Sequence, residues 1–208
     1  MVNSLVIGLF VVVFLIISFI LFYRFVFCRD PLRLIPSGDV LVSPADGKVI
    51  AVEELQAGNR DVIKGWMGGV KDVVVKEKAC YLISIFMSPF NVHFTRAPYS
   101  GSVTSLHHQP GRFSNAENVE KSKLNENNQI RIQTGIGELL VIQIAGFLAR
   151  RIQCTVKVKQ KINKGQKIGF INLGSQVTLI VPQEKVSLCV QVGDIVKGGE
   201  TILGEVRA

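Results

Sequence analysis

The stretch from Leu5 to Tyr23, "LVIGLFVVVFLIISFILFY", carries no charge, and its one clearly polar side chain before the closing tyrosine is Ser18. Eighteen or more such residues in a helix can cross the ~30 Å hydrocarbon core of a bilayer. A cleaved signal peptide fits poorly, because no Lys or Arg precedes the run and no small-x-small site follows it. Positive charge comes after the run, at Arg24, Arg29 and Arg33. Positive charge marks the cytoplasmic flank of a span. The expectation is therefore a transmembrane anchor over 1–28 in the cell membrane, with Tyr23, Phe25 and Phe27 near the interface and the rest of the chain cytoplasmic.

The residues that follow, "RDPLRLIPSGD", hold two prolines and a glycine, which stop the helix and turn the chain. They read as a linker over 29–39, short enough to keep a domain over 40–208 close to the membrane. That body is rich in strand signals. "VLVSPADGKVIAVEE", "KDVVVKEKACYLISIFM", "QIRIQTGIGELLVIQIAG", "RIQCTVKVKQKI" and "GSQVTLIVP" alternate or run in β-branched residues between Gly, Pro and Asn. "SNAENVEKSKLNENNQI" is polar and reads as a loop or short helix. A weak internal repeat pairs "VKQKINKGQKIGFI" with "CVQVGDIVKGGETILGEV". Paired turns of this kind occur in lipoyl- and biotinyl-like sandwiches. The fold class expected is mainly β, a small β-sandwich or barrel of hybrid lipoyl-like type, with one N-terminal transmembrane helix.

Lys and Arg number 24 against 16 Asp and Glu, a net charge of +8, but no long basic run concentrates it. Nucleic acid is not expected as a partner; an anionic membrane surface or acidic substrate suits such a chain better. The four cysteines, Cys28, Cys80, Cys154 and Cys189, form no CxxC and no metal-type spacing with histidine. They read as buried, inert thiols in a reducing compartment, and no metal site is expected.

Three histidines exist. His93, in "MSPFNVHFTRAP", reads either as a satisfied buried imidazole or as a reactive one. His107 and His108 precede a turn and read as surface residues. Asp46, in "SPADGKV", is a turn carboxylate or an orienting one. Gly174-Ser175, in "INLGSQVTLIVP", is an ordinary turn or a bond the chain cuts in itself. Asp46, His93 and Ser175 could form an Asp-His-Ser relay, in which the imidazole takes the hydroxyl proton. Residue counting does not decide between these readings.

Taken as an ordered set, "FCRDPLRLIPSGDVLVSPADGKV", "IFMSPFNVHFTRAPYSGSV", "PGRFSNA", "NENNQI", "IQIAGFLARRI", "KGQKIGFINLGSQVTLIVP" and "VQVGDIVKGGETIL" resemble the phosphatidylserine decarboxylase family, in its short single-anchor branch. The resemblance covers nearly the whole chain. It implies a pyruvoyl enzyme made by self-cleavage at Gly174-Ser175 into a β chain 1–174 and an α chain 175–208. Ser175 becomes the pyruvoyl group, Asp46 matches the family's serine-activating aspartate, and His93 matches the first histidine of its histidine motif. The implied reaction forms a Schiff base between the pyruvoyl carbonyl and a phosphatidylserine-like lipid, releases carbon dioxide and leaves phosphatidylethanolamine. The implied partners are the phospholipid, the membrane and the chain's own two products; a homo-oligomer is left open.

Two departures stand out. Arg96 occupies the position of the second histidine found in longer members, so His93 would serve both maturation and decarboxylation. Gln176 follows Ser175 where relatives often carry Thr or Arg. The competing readings are an archaetidylserine decarboxylase and a non-enzymatic membrane adaptor with a lipoyl-like domain. The adaptor explains the anchor and the "VGDIVKGGETIL" turn, but not "SPADGKV" with "MSPFNVHFTRAP".

Overall fold

A computed structural model of the chain describes residues 2–63, 69–110, 126–146, 151–172 and 175–207. Helix α1 (Val2–Leu21) continues into a π-helical turn, Phe22–Phe27. The apolar span Val6–Phe27 holds 22 residues at a mean hydropathy of 3.0, about 33 Å of helix. It is long and apolar enough to cross a bilayer. Its large side chains from Val6 to Leu21 stand exposed, whereas Phe27 at its end is fully buried against the body.

Residues 29–38 carry no helix or strand and run as a strap across the body. The strap is pinned by Ile35, which lies against two glycine turns. A Cβ on Gly165 or on Gly199 would run into the Ile35 side chain. Both glycines sit in the left-handed region, at φ 77° and 81°, where other residues are strained.

The body consists of strands β1 (Val40–Val42), β2 (Gly47–Ile63), β3 (Gly69–Met87), β4 (Phe94–Arg96), β5 (Gly101–Gln109), β6 (Asn127–Thr134) and β7 (Gly137–Ala145). It continues through β8 (Ile152–Cys154), β9 (Lys161–Ile162), β10 (Lys167–Ile171), β11 (Ser175–Pro182), β12 (Val186–Leu188), β13 (Ile195–Val196) and β14 (Ile202–Val206). Among the described residues they form three sheets, ordered β1-β14-β12, β4-β10-β8 and β13-β2-β3-β11-β7-β6-β5-β9. Every strand pairing among the described residues is antiparallel. The mainly β body behind one apolar helix is the class the sequence predicts.

Strand β11 lies between β3 and β7, and all eight of its residues are buried. That explains its nearly unbroken apolar run: a central strand covered on both faces has no polar side to show. One face, with Val177, Leu179 and Val181, joins Ile83, Ile85 and Val141 in the main core. The other face, with Ile180, packs with Leu82, Ile142 and Ile144 beneath Val70 and Val73 of β3. The repeat seen in the sequence is a pair of matched turns. β9 and β10 flank Gly165, β13 and β14 flank Gly199, and each glycine N–H bonds a carbonyl of a crossing segment, at Ala97 and Ser43.

Three expectations need correction. "RIQCTVKVKQKI" is not one strand, because residues 155–160 leave the ladder. There Lys159 takes φ 69°, and Lys159 and Gln160 bond both backbone groups of Val103 instead. "NENNQI" is not loop throughout: Asn127 and the residues after it pair with β5 and β7, while 111–125 lie outside the described residues. The thiols are not all buried. Cys80 is, but Cys154 and Cys189 are exposed and Cys28 is half-buried, because Cys154 ends and Cys189 follows a short edge strand, while Cys28 closes the π-helical turn.

Candidate active site

Asp46 sits on the bend between β1 and β2. The Asp-Gly pair is needed there because a Cβ at Gly47 would strike the backbone oxygen of Phe86. The Asp46 carboxylate is largely enclosed. Arg33 Nη2 donates to both of its oxygens, at 2.9 and 2.8 Å, and the Gly198 N–H donates to Oδ1 at 2.7 Å. Arg33 comes from the strap and also reaches Glu200 at 3.5 Å. The turn of the second repeat half and the strap therefore hold this carboxylate jointly.

His93 lies just before β4, and its carbonyl accepts the Ile171 N–H at 3.2 Å. The residue is fully buried. Its Nδ1 is 2.9 Å from the Asn91 carbonyl. A carbonyl can only accept, so Nδ1 carries the hydrogen and Nε2 presents a lone pair. That Nε2 is buried and has no hydrogen-bond partner among the described residues. The Asn91 side chain in turn accepts from the Ser88 N–H and hydroxyl, both at 2.8 Å, which fixes the loop. The imidazole pKa is pushed down to about 4, chiefly by burial; the Asn91 bond opposes this, Arg29 adds to it and Asp46 opposes it. A neutral imidazole with a bare nitrogen is a base waiting for a proton.

Ser175 opens β11, opposite Met87 and Ala145, and is fully buried. It is the start of a paired strand, not part of a surface turn. Its hydroxyl donates to the Asn172 carbonyl at 3.4 Å, a long bond. Gly174, the other half of the predicted cleavage bond, lies outside the described residues. His93 and Ser175 meet at the same end of the body, linked through Ile171 and Asn172. Among the described residues they share no direct hydrogen bond, and Asp46 bonds to neither. Asp46 acts on His93 through charge, while its oxygens are bonded to Arg33 and Gly198.

Beside this pair lies a buried polar network that residue types alone did not reveal. Asn128 donates to Gln143, and Gln143 donates to Thr95, both at 2.9 Å. Gly169 makes room for it, since a Cβ there would meet the Gln143 amide. Gln176 takes no part, because alternation along β11 sends its side chain to the opposite face. There its amide donates to Thr178 at 3.2 Å. Arg96, in place of a second histidine, donates to Asp30 of the strap at 2.8 Å and to the Gly165 carbonyl at 3.0 Å. It lines a cleft of about 430 Å3 with Arg33, Lys164 and Lys167, and neither His93 nor Ser175 borders that cleft. His107 and His108 are exposed on β5.

The sequence profile of the family "phosphatidylserine decarboxylase" matches residues 19–204. A protein of Syntrophus aciditrophicus named phosphatidylserine decarboxylase proenzyme is 40% identical over 180 residues, 86% of this chain and 77% of its own. One of Desulfotalea psychrophila with the same name is 39% identical over 182 residues, 86% of this chain and 78% of its own. A protein of Methanocaldococcus jannaschii named "putative archaetidylserine decarboxylase proenzyme" is 41% identical over 192 residues, 90% of this chain and 92% of its own. With the match spanning the end of the apolar helix, the strap, the buried serine and both turns of the repeat, this chain belongs to the phosphatidylserine decarboxylase family.

Proposed function

We propose that the chain is a self-processing, membrane-anchored carboxy-lyase that converts phosphatidylserine to phosphatidylethanolamine and carbon dioxide. The observation that carries this reading is a buried His93, its Nε2 without a partner among the described residues, tied through the adjacent Ile171 and Asn172 to the buried Ser175, in a chain of this family. The Ser175 hydroxyl attacks the Gly174 carbonyl carbon and passes its proton to His93 Nε2. The C–O bond forms, and the Gly174–Ser175 C–N bond breaks as His93 passes that proton on to the departing nitrogen, leaving an ester and a free amine. Loss of the Ser175 Cα proton expels the Gly174 carboxylate. One water then replaces the nitrogen, which leaves as ammonia, and residue 175 ends as a pyruvoyl group. Asp46 keeps negative charge near the imidazole as it becomes cationic.

The position suits such a group: it is built from Ser175's own atoms, in a dry site flanked by an uncharged base. A pyruvoyl group supplies the electron sink that an amino-acid decarboxylation requires. His93 Nε2 then takes a proton from the substrate's ammonium group and returns it to the substrate Cα once carbon dioxide has left. The α chain, 175–208, stays in place after cleavage because β11 remains bonded along its length to β3 and from Ser175 to Ile180 to β7. Residues 1–28 form the anchor, 29–39 the strap and 40–208 the catalytic domain. Arg24, Arg29 and Arg33 flank the span on the domain side, which supports a cytoplasmic domain with lipid headgroups within reach.

The Methanocaldococcus relative supports a second reading of the substrate, an ether lipid with the same phosphoserine headgroup. Membership of the family leaves the adaptor reading without support. Intact-mass analysis of the detergent-solubilised protein tests the proposal. Wild type is expected as two chains, the smaller beginning with a blocked residue at 175. Ser175→Ala is expected as one chain with no carbon dioxide released from phosphatidylserine vesicles. A Ser175→Ala protein that still decarboxylates would overturn the mechanism. Parallel assays on diacyl and ether-linked vesicles decide the lipid backbone.

A further inference from the structure

The large apolar side chains of the anchor are exposed, save at its last turn. There Phe27 is fully buried, with its ring centroid 3.9 Å from that of His93 and 5.9 Å from that of Phe170. Tyr23, one turn earlier, stacks on Phe27 at 5.4 Å, and its hydroxyl donates to the Asn172 side chain at 3.4 Å. The carbonyl of that same Asn172 accepts the Ser175 hydroxyl. A second clamp fixes the turn from outside: Arg29 donates to the carbonyls of Val26 and Phe90, at 2.7 and 2.6 Å, while the Phe22 and Phe90 rings meet edge-on. The wide π-helical turn over Phe22–Phe27 is where this docking occurs, and such turns recur at functional sites.

We propose that the cytoplasmic end of the anchor is a wall of the active site, with Phe27 as a positioning residue that excludes water from the His93 imidazole and fixes its ring plane. On this inference the helix does more than tether the domain: the base is complete only when the anchor's last turn is docked. Tyr23 braces Phe27 and orients Asn172 toward Ser175. The inference rests on His93 serving as the base in the proposed reaction.

The groups that face His93 come from several elements. Arg29 of the strap disfavours its protonation and Asp46 of the β1–β2 bend favours it, both less than burial does. Tyr23 and Cys28 are the titratable groups on the anchor side. Removing the Phe27 ring opens the imidazole to water without touching any of these charges. The imidazole titration is then expected to move from about 4 toward the ordinary 6.5, by about one pH unit or more.

The test is histidine NMR on the full chain in detergent, in an uncut Ser175→Ala background, with the His93 signal assigned by its loss in His93→Gln. Phe27→Ala is expected to raise the His93 titration, Phe27→Leu to raise it less, and Val11→Ala, on the exposed face of the same helix, to leave it alone. A His93 titration at the wild-type position in whichever Phe27 variants fold would overturn the inference. Phe27→Leu keeps an apolar side chain in the site, so it stays informative should Phe27→Ala fail to fold. Because the background never cuts itself, this readout is independent of cleavage. A wild-type protein that stays one chain would sink the proposed function and leave the Phe27 result standing.

Discussion

His93 and His108 lie in two regions of one domain and show what surroundings do to the same side chain. His93 is enclosed by Phe27 and Phe170, fixed through Nδ1 by a backbone carbonyl, and its Nε2 has no partner among the described residues. His108 stands on the outside of β5, about half exposed, with Nε2 2.9 Å from Glu126. Burial without a charged partner makes the first imidazole a neutral base. Solvent and a carboxylate make the second a weakly paired surface group. Chemistry therefore follows from who surrounds the ring, and the comparison can be attacked from both sides.

The hardest blow falls on His93. His93→Gln keeps a polar side chain of similar reach but no base, and self-cleavage is expected to slow about a hundredfold or more. Two-chain protein appearing at the wild-type rate would remove His93 from the reaction. The same variant carries a stability signature whose sign follows from linkage. The folded imidazole titrates near 4 against an ordinary 6.5. As pH falls below 6.5 the unfolded chain takes up a proton that the folded chain refuses, so the domain loses stability down to about pH 4, where the loss levels off. The full penalty is about 3 kcal/mol, most of it present by pH 5. Denaturant melts in the Ser175→Ala background should show about 2 kcal/mol of this decline between pH 7.5 and 5, and His93→Gln should remove that part.

A middle-sized effect is expected at Arg33. Its guanidinium is nearly enclosed, and so is the Asp46 carboxylate it grips. Arg33→Gln leaves that carboxylate with the Gly198 N–H alone and should cost about 3 kcal/mol at pH 7. Asp46→Asn should cost less, because Arg33 retains Glu200. The double variant should be less harmful than the sum of the two, since the uncompensated charge is gone. Strict additivity in a double-mutant cycle would show that the pair is not coupled. It would leave the strap's grip on the site to Ile35 and the Asp30–Arg96 bridge.

The fold was largely legible in the chain, and the site only in part. The apolar run of β11, the matched turns around Gly165 and Gly199, and the isolated Leu5–Tyr23 stretch each follow from local pattern, because burial on both faces, left-handed glycine and bilayer thickness leave direct marks on sequence. The site's contacts leave no such mark. Tyr23 and Asn172 meet across 149 positions, and Arg33 reads as a flanking positive charge until the fold lays it on Asp46. Phe27 reads as an interfacial ring, because nothing in its neighbours tells that the last turn docks on His93. The exposed thiols of Cys154 and Cys189 fail for the opposite reason. A buried cysteine is the common case, and only the edge positions of their segments make these two exceptions.

The smallest effect is expected at His108, and its smallness is what the comparison needs. The His108–Glu126 contact is solvent-exposed on the histidine side, and Glu126 keeps a second bond, accepting the Ile152 N–H at 3.2 Å. His108→Ala should therefore change stability by no more than about 0.5 kcal/mol, an effect that salt should erase further. Cleavage should be untouched, because the residue is hydrogen-bonded to neither Ser175 nor Asn172. If His108→Ala slowed cleavage tenfold in a protein that melts like wild type, exposure would no longer separate the two histidines. Burial under Phe27 would then no longer account for His93, and not His108, being the base.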